Sequence, residues 1–184
     1  MRGPMTDRGL FLGRFQPMHL GHLAVLQRLA RQHDEVLVGI GSANVSHTRM
    51  NPFTGGERVE MVHEALREAG VSNALVLPIP DIGRNTLWVS HVESLVPRFR
   101  VLYTNNPLPA RLFRERGHEV APAPFHEREV YSGTRIREMM TEGDEWMDLL
   151  PPAVVRVLRE CKGVQRLRDV ATPDGAVEGF DPTV

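Results

Sequence analysis

The feature that most constrains this chain is a repeated switch in hydrophobic period. Short apolar runs of strand length alternate with segments whose apolar residues recur every three or four positions. The runs are GLFLG (9–13), EVLVGIG (35–41), ALVLPI (74–79), RVLYT (100–104) and HEVAP (118–122). Between them the spacing predicts a helix over 20–32, with Leu23, Leu26, Leu29 and Ala30 on one side. A second opens at Thr54-Gly55-Gly56-Glu57, which has the spacing of a capping box, and gathers Val59, Val62, Ala65, Leu66 and Ala69 on one face. Others are expected near 87–96 and 107–115, and from Thr134, where Ile136, Met139 and Met140 share a side. Short helices follow around 144–149 and 152–161, the latter with Pro151 and Pro152 where a first turn accepts proline.

Strand followed by helix through most of the chain implies right-handed crossovers and a parallel sheet covered on both faces. The expected fold is therefore α/β: a Rossmann-like, doubly wound parallel sheet of about five strands with a C-terminal helical segment. One domain is expected over residues 1–184, with a core of about 9–165 and extensions at 1–7 and about 166–184. Such sheets bind ligands outside the carboxyl ends of their strands. The connections on that edge are GRFQPMH, GSANVSHTRMNP, PIPDIGRN, YTNNP and PFHEREVYSGTR, rich in amides, hydroxyls, glycines and prolines. The opposite edge carries RQHDE, REAGVSNA, VPRFR and RERGHE, ordinary charged turns. The asymmetry itself points to a site.

Composition excludes several classes. Net charge is −1 with no block of like charge, which argues against a nucleic-acid surface. Cys161 is the lone cysteine, so neither an intrachain disulfide nor a thiolate metal cluster is available. With no apolar leader and no span long enough for a bilayer, the expected setting is the cytoplasm, away from membranes.

The stretch GLFLGRFQPMHLGH (9–22) concentrates the chemistry. His19 and His22 stand about one helical turn apart at the start of a helix, where orphan amides and the dipole favour anions. Arg14 adds a forked cation, Pro17 fixes the turn, and Gly21 allows close approach to the backbone. The spacing of three, without an intervening Glu, does not suit a helical zinc pair. Ser132, Gly133 and Thr134 open a later helix, with Arg137 one turn inside it.

GRFQPMHLGH resembles the HxGH signature of the nucleotidyltransferase superfamily, and YSGTRIR (131–137) resembles its second, ISGTxIR-type signature. With GSANVSH, NPFTGGERVEM, PDIGRNTLWVSHV and NNPLPARLF between them, the chain is similar to the archaeal-type nicotinamide-nucleotide adenylyltransferases over about 9–165. That resemblance implies an enzyme that makes NAD and pyrophosphate from ATP and nicotinamide mononucleotide (NMN), with Mg²⁺ accompanying ATP and no metal site of the protein's own. It implies His19, His22, Arg14 and Arg137 as catalytic residues. Gly13, Arg14, Gln16, His19, Gly21, His22, Arg49, Asn106, Ser132, Gly133, Thr134 and Arg137 would bind ATP. Phe15, Asp81, Ile82, Asn85 and Trp88 would bind NMN, Trp88 stacking on the nicotinamide ring. His47 and His91 could be structural or belong to the site. Arg49 is included because Met50 stands where the family usually carries a basic residue. A homo-oligomer is also implied.

Two alternatives differ in class. One is adenylyl or cytidylyl transfer to another phosphate, such as flavin mononucleotide or phosphopantetheine; those relatives tend to carry an Asp where Gln16 stands here. The other is a nucleotide-sensing module without turnover, which the presence of both histidines disfavours.

Overall fold

The computed structural model describes residues 6–124 and 130–171, and in it the five apolar runs are five parallel strands. They are β1 (Arg8–Gly13), β2 (Glu35–Ile40), β3 (Ala74–Pro78), β4 (Val101–Tyr103) and β5 (Glu119–Ala121). The helices are α1 (Leu20–Ala30), α2 (Gly55–Glu68), α3 (Asn85–Leu95), α4 (Pro107–Glu115), α5 (Gly133–Glu142), α6 (Pro152–Glu160) and α7 (Gly163–Ala171). Spatial order is β3-β2-β1-β4-β5, with Phe11 opposite Val38 on one side and Tyr103 on the other. The chain winds outward from β1 to β3, then returns to the other side of β1 for β4. Loops leaving β1 and β4 therefore diverge, and a crevice opens between them at the carboxyl edge.

Alternation along the strands splits the core into two layers. Phe11, Val36, Val38 and Ile40 pack against Val25, Leu26 and Leu29 of α1, Met61 and Val62 of α2, and the C-terminal helices. Leu10, Leu37 and Leu102 face the other way, onto Val89 and Val92 of α3 and Phe113 of α4. The capping box forms as its spacing predicts: Glu57 N–H donates to Thr54 Oγ1 at 3.2 Å, and Thr54 N–H to Glu57 Oε2 at 2.8 Å.

The C-terminal region departs from expectation. The helix expected around 144–149 is a single 3₁₀ turn, Met147–Leu149. The extension expected from 166 is instead part of α7, whose Leu167 is fully buried. Arg166 forks onto Glu57 at 2.6 and 2.8 Å, and Arg168 Nε donates to the Met140 carbonyl at 3.1 Å. So α7 is tied to α2 and α5, and the packed region runs to 171. The remaining parts of the expected extensions, 1–5 and 172–184, lie outside the described residues.

Candidate active site

A cavity of about 660 Å³ occupies the β1/β4 crevice, within the ~300–1,000 Å³ typical of small-molecule sites. Of the residues expected at the site, Gly13, Arg14, His19, Gly21, His22, Asp81, Ile82, Asn85, Trp88 and Asn106 line it. The first five come from the β1–α1 loop and the start of α1. The next four belong to the β3–α3 segment, and Asn106 follows β4. Residues far apart in sequence thus share one space because their strand ends do.

The two histidines are arranged by the backbone. His19 is the N-cap of α1, and its Nδ1 accepts from the His22 N–H at 3.2 Å; His22 Nδ1 accepts from the His19 N–H at 3.4 Å. This is a capping box built from imidazoles, and the rings stack with centroids 3.6 Å apart. Because each Nδ1 is an acceptor, the neutral ring carries its proton on Nε2. Burial pulls the His19 pKa down to about 4. The His22 ring is enclosed by Phe11, Phe15 and His19. Its pKa falls well below the usual value through burial and then the neighbouring His19. Near neutral pH the pair is therefore two Nε2–H donors without net charge. Fixed charge at this end comes from Arg14, which is exposed to the cavity and makes no ion pair among the described residues.

The second signature meets the first from behind. Arg137 is only 8% exposed, and its Nη1 donates to the Gln16 carbonyl at 2.7 Å. Its pKa is lowered by burial and then by the charge of Arg14. Arg137 therefore supports the β1–α1 loop and does not line the cavity. Neither do Ser132, Gly133 and Thr134. Ser132 makes no side-chain cap on α5, while Gly133 lies so close to the loop that a Cβ would stand 3.3 Å from the Gln16 carbonyl oxygen.

Three further expectations change. Gln16 is 4% exposed, and its amide is spent on Phe53, donating to the carbonyl and accepting from the N–H at 3.0 Å each. Phe15 is fully buried, with its ring 4.7 Å from that of His22, so it supports the imidazole instead of facing the cavity. Arg49 is exposed on the 46–51 loop, outside the cavity lining, as is Met50. Of the two undecided histidines, His91 donates Nε2–H to the Pro80 carbonyl at 2.9 Å and holds the β3–α3 segment. His47 pairs through Nδ1 with the Ser46 hydroxyl at 2.9 Å. Neither lines the cavity.

Trp88 reconciles two readings. Its ring forms a T-shaped pair with Phe113 at 5.8 Å and 88°, while the residue also lines the cavity. Reading the sequence alone passes over Tyr131, Arg84, Thr104 and Asn105, all in the lining. Tyr131 was visible as the first letter of YSGTRIR; its ring is parallel to that of His19 at 6.2 Å.

Comparison with known proteins shows the family and the fold. Residues 10–139 match the cytidylyltransferase-like family. A nicotinamide-nucleotide adenylyltransferase of Methanothrix thermoacetophila is 53% identical over 169 residues, covering 92% of this chain and 99% of that protein. One from Pyrococcus horikoshii is 52% identical, covering 90% and 89%. Among solved structures, a bifunctional NMN adenylyltransferase/ADP-ribose pyrophosphatase of Francisella tularensis, crystallised with AMP and a manganese ion, superposes with a TM-score of 0.71. At 19% identity that likeness shows the shared fold, over 90% of this chain and about half (52%) of that one.

Proposed function

The chain belongs to the cytidylyltransferase-like family and, within it, to the nicotinamide-nucleotide adenylyltransferases, and from that membership we propose how its cavity performs adenylyl transfer. The overall reaction is ATP plus NMN giving NAD and pyrophosphate. A phosphate oxygen of NMN attacks the α-phosphorus of ATP. The bond to the bridging oxygen of the β-phosphate breaks, and its electron pair leaves with pyrophosphate. The attacking phosphate, with a second pKa of about 6, is already ionised at neutral pH, so no general base is needed. What the protein supplies is alignment and stabilisation of the charge that moves.

In this reading the Nε2–H groups of His19 and His22 donate to phosphoryl oxygens as charge builds, and Arg14 provides the cationic fork. Gly13 and Gly21 let the nucleotide approach the backbone. Arg137 acts through the Gln16 carbonyl, keeping the loop in register with α5, whose start at Ser132–Thr134 packs behind that loop. Asn106 flanks the adenosine. Asp81, Ile82 and Asn85 surround the nicotinamide, with Trp88 offering a π-face to the pyridinium cation. The described residues include no group of three or more His, Cys, Asp and Glu side chains placed to hold a metal, and Asp81 is the one acid in the cavity lining. In this proposal a divalent cation, Mg²⁺, enters with ATP as the MgATP substrate.

Among the described residues no helix is long and apolar enough to cross a membrane. Cytoplasmic residence and self-association belong to the same proposal, supported by the free Cys161 and by the resemblance respectively.

The observation that carries the reading is the reciprocal imidazole cap, which aims two neutral donors into the cavity beside Arg14. The test is an assay of MgATP with NMN, with NAD and pyrophosphate expected in equal amounts. Trp88→Ala should raise KM for NMN by up to about tenfold, the worth of an aromatic contact, and leave KM for ATP unchanged. Faster pyrophosphate release with flavin mononucleotide or phosphopantetheine would overturn the choice of acceptor.

A further inference from the structure

Arg58 is the fourth residue of α2, one turn before Val62 on the helix's apolar face, an unusual place for a cation. It is 0% exposed, the largest of the fully buried side chains. A guanidinium has five N–H donors, and here every one meets a main-chain carbonyl. Nε donates to Thr54 at 3.1 Å; Nη1 to Arg14 at 2.9 Å and Gly41 at 2.8 Å; Nη2 to Ser42 at 2.9 Å and Val45 at 3.4 Å. No carboxylate pairs with it among the described residues. Burial, followed by the nearby charge of Arg14, pulls its pKa down to about 10, so it remains protonated at neutral pH.

The carbonyls identify what this buried cation does. Arg14 leaves β1, while Gly41 and Ser42 leave β2, and all three line the cavity. Phe15, directly after Arg14, has φ +50°, and Ser42 also has φ +50°. Non-glycine residues held in the left-handed region cost on the order of 1–3 kcal/mol each and persist where surroundings over-determine them. The Arg58 fork bonds the peptide on the N-terminal side of Phe15 and the carbonyl of Ser42 itself. Phe15 in turn packs on the His22 ring at 4.7 Å. A continuous line of contacts therefore runs from Arg58 through Phe15 to one imidazole, and through the Arg14 backbone to the cavity's cationic fork.

We propose that Arg58 is a positioning residue for adenylyl transfer, fixing the backbones of the β1–α1 and β2–α2 loops so that Arg14 and His22 meet the triphosphate in reacting geometry. It touches no substrate. Its carbonyl partners do not include the 81–88 segment, which it reaches only indirectly: Asn44, between the gripped Ser42 and Val45, pairs with the Asp81 backbone at 2.7 and 3.1 Å. The proposal rests on the adenylyl-transfer reading.

The experiment compares wild-type enzyme with Arg58→Lys and Arg58→Ala, with thermal melts and steady-state kinetics in MgATP and NMN. Lysine keeps the charge and volume but cannot reproduce the planar five-bond fork. Arg58→Lys should lower kcat roughly 10- to 100-fold, the scale of a small misplacement remote from the chemistry, with a much smaller rise in KM for NMN, passed on only through Asn44. In Arg58→Ala, millimolar guanidinium chloride should restore turnover where equal sodium chloride does not. A folded Arg58→Lys enzyme with wild-type kcat would overturn the proposal. So would a loss explained wholly by a smaller active fraction, or one shared equally by KM for NMN. Wild-type enzyme that makes no NAD would instead sink the parent reading, so the two failures are distinguishable.

Discussion

Buried histidines occupy opposite edges of the same sheet, and they differ in how they spend their nitrogens. At the amino edge His33 uses both: Nδ1 lies 3.0 Å from Asp7 Oδ2 and Nε2 lies 2.9 Å from the Tyr103 hydroxyl. The packing is so close that a Cβ on Gly9 would stand 2.8 Å from the ring, which explains a glycine inside β1. At the carboxyl edge His19 and His22 each spend Nδ1 on a backbone N–H, and among the described residues neither Nε2 has a protein partner. A structural histidine closes its hydrogen-bond account within the fold. One aimed at a substrate keeps one side open toward the cavity.

The most severe test of that contrast substitutes the same residue at both edges. Asparagine is among the best N-caps, so His19→Asn should preserve the start of α1 and its melting temperature. Loss of the Nε2–H donor should nonetheless reduce kcat by about 10²-fold or more, as for other transition-state donors. His33→Asn should do the reverse, leaving kcat unchanged while unfolding stability falls by about 1–3 kcal/mol, because a buried polar partner is stranded. Equal slowing by both variants would erase the distinction between the edges.

How far the sequence foretold this division depends on which physical signal each residue leaves. The strands were legible because a parallel strand buried on both faces reads as an unbroken apolar run. Their carboxyl-edge loops followed from topology, and with them the meeting of Gly13–His22, Asp81–Trp88 and Asn106. Helix α7 was hidden, since Val164 and Leu167, its contribution to the core, are diluted among Gln165, Arg166, Arg168 and Asp169, and much of its hold on the fold is polar, through Glu57 and Met140. Gln16 and Arg137 looked like ligand contacts because their side chains can serve either a substrate or a carbonyl, and pattern does not say which. Arg58 was least legible of all. The helical period does put it on the apolar face with Val62 and Ala65, but a cation can be buried there only because of carbonyls from two other loops, which nothing within α2 encodes.

A pH titration sharpens the same comparison through stability. The folded chain holds His19 neutral down to about pH 4, whereas an unfolded histidine protonates near 6.5. Below 6.5 the unfolded state thus binds more protons, and stability must fall as pH falls from 6.5 toward 4. His19 alone accounts for up to about 3 kcal/mol of that loss when the shift is complete. Urea melts at pH 7.5 and 4.5 should show a smaller acid-induced loss in His19→Asn than in wild type. Identical losses would mean that the imidazoles are not held neutral by the fold.

The smallest expected effect concerns Arg49, which like Arg137 lies outside the cavity lining but, unlike it, is exposed. Its loop is pinned by a short turn, with Thr48 N–H donating to the Asn51 carbonyl at 3.2 Å and Asn51 N–H to the Thr48 carbonyl at 3.1 Å. That turn holds Arg49 in solvent, where an interaction with phosphate is screened and worth about 0.2–1 kcal/mol. Arg49→Ala should therefore raise KM for ATP by less than about fivefold, leave kcat unchanged, and lose even this effect at high salt. A drop in kcat as large as that of His19→Asn would mean that the 46–51 loop closes onto the triphosphate during turnover. The open imidazoles would then be only part of the catalytic surface, and solvent exposure on this edge would no longer separate supporting residues from those that act.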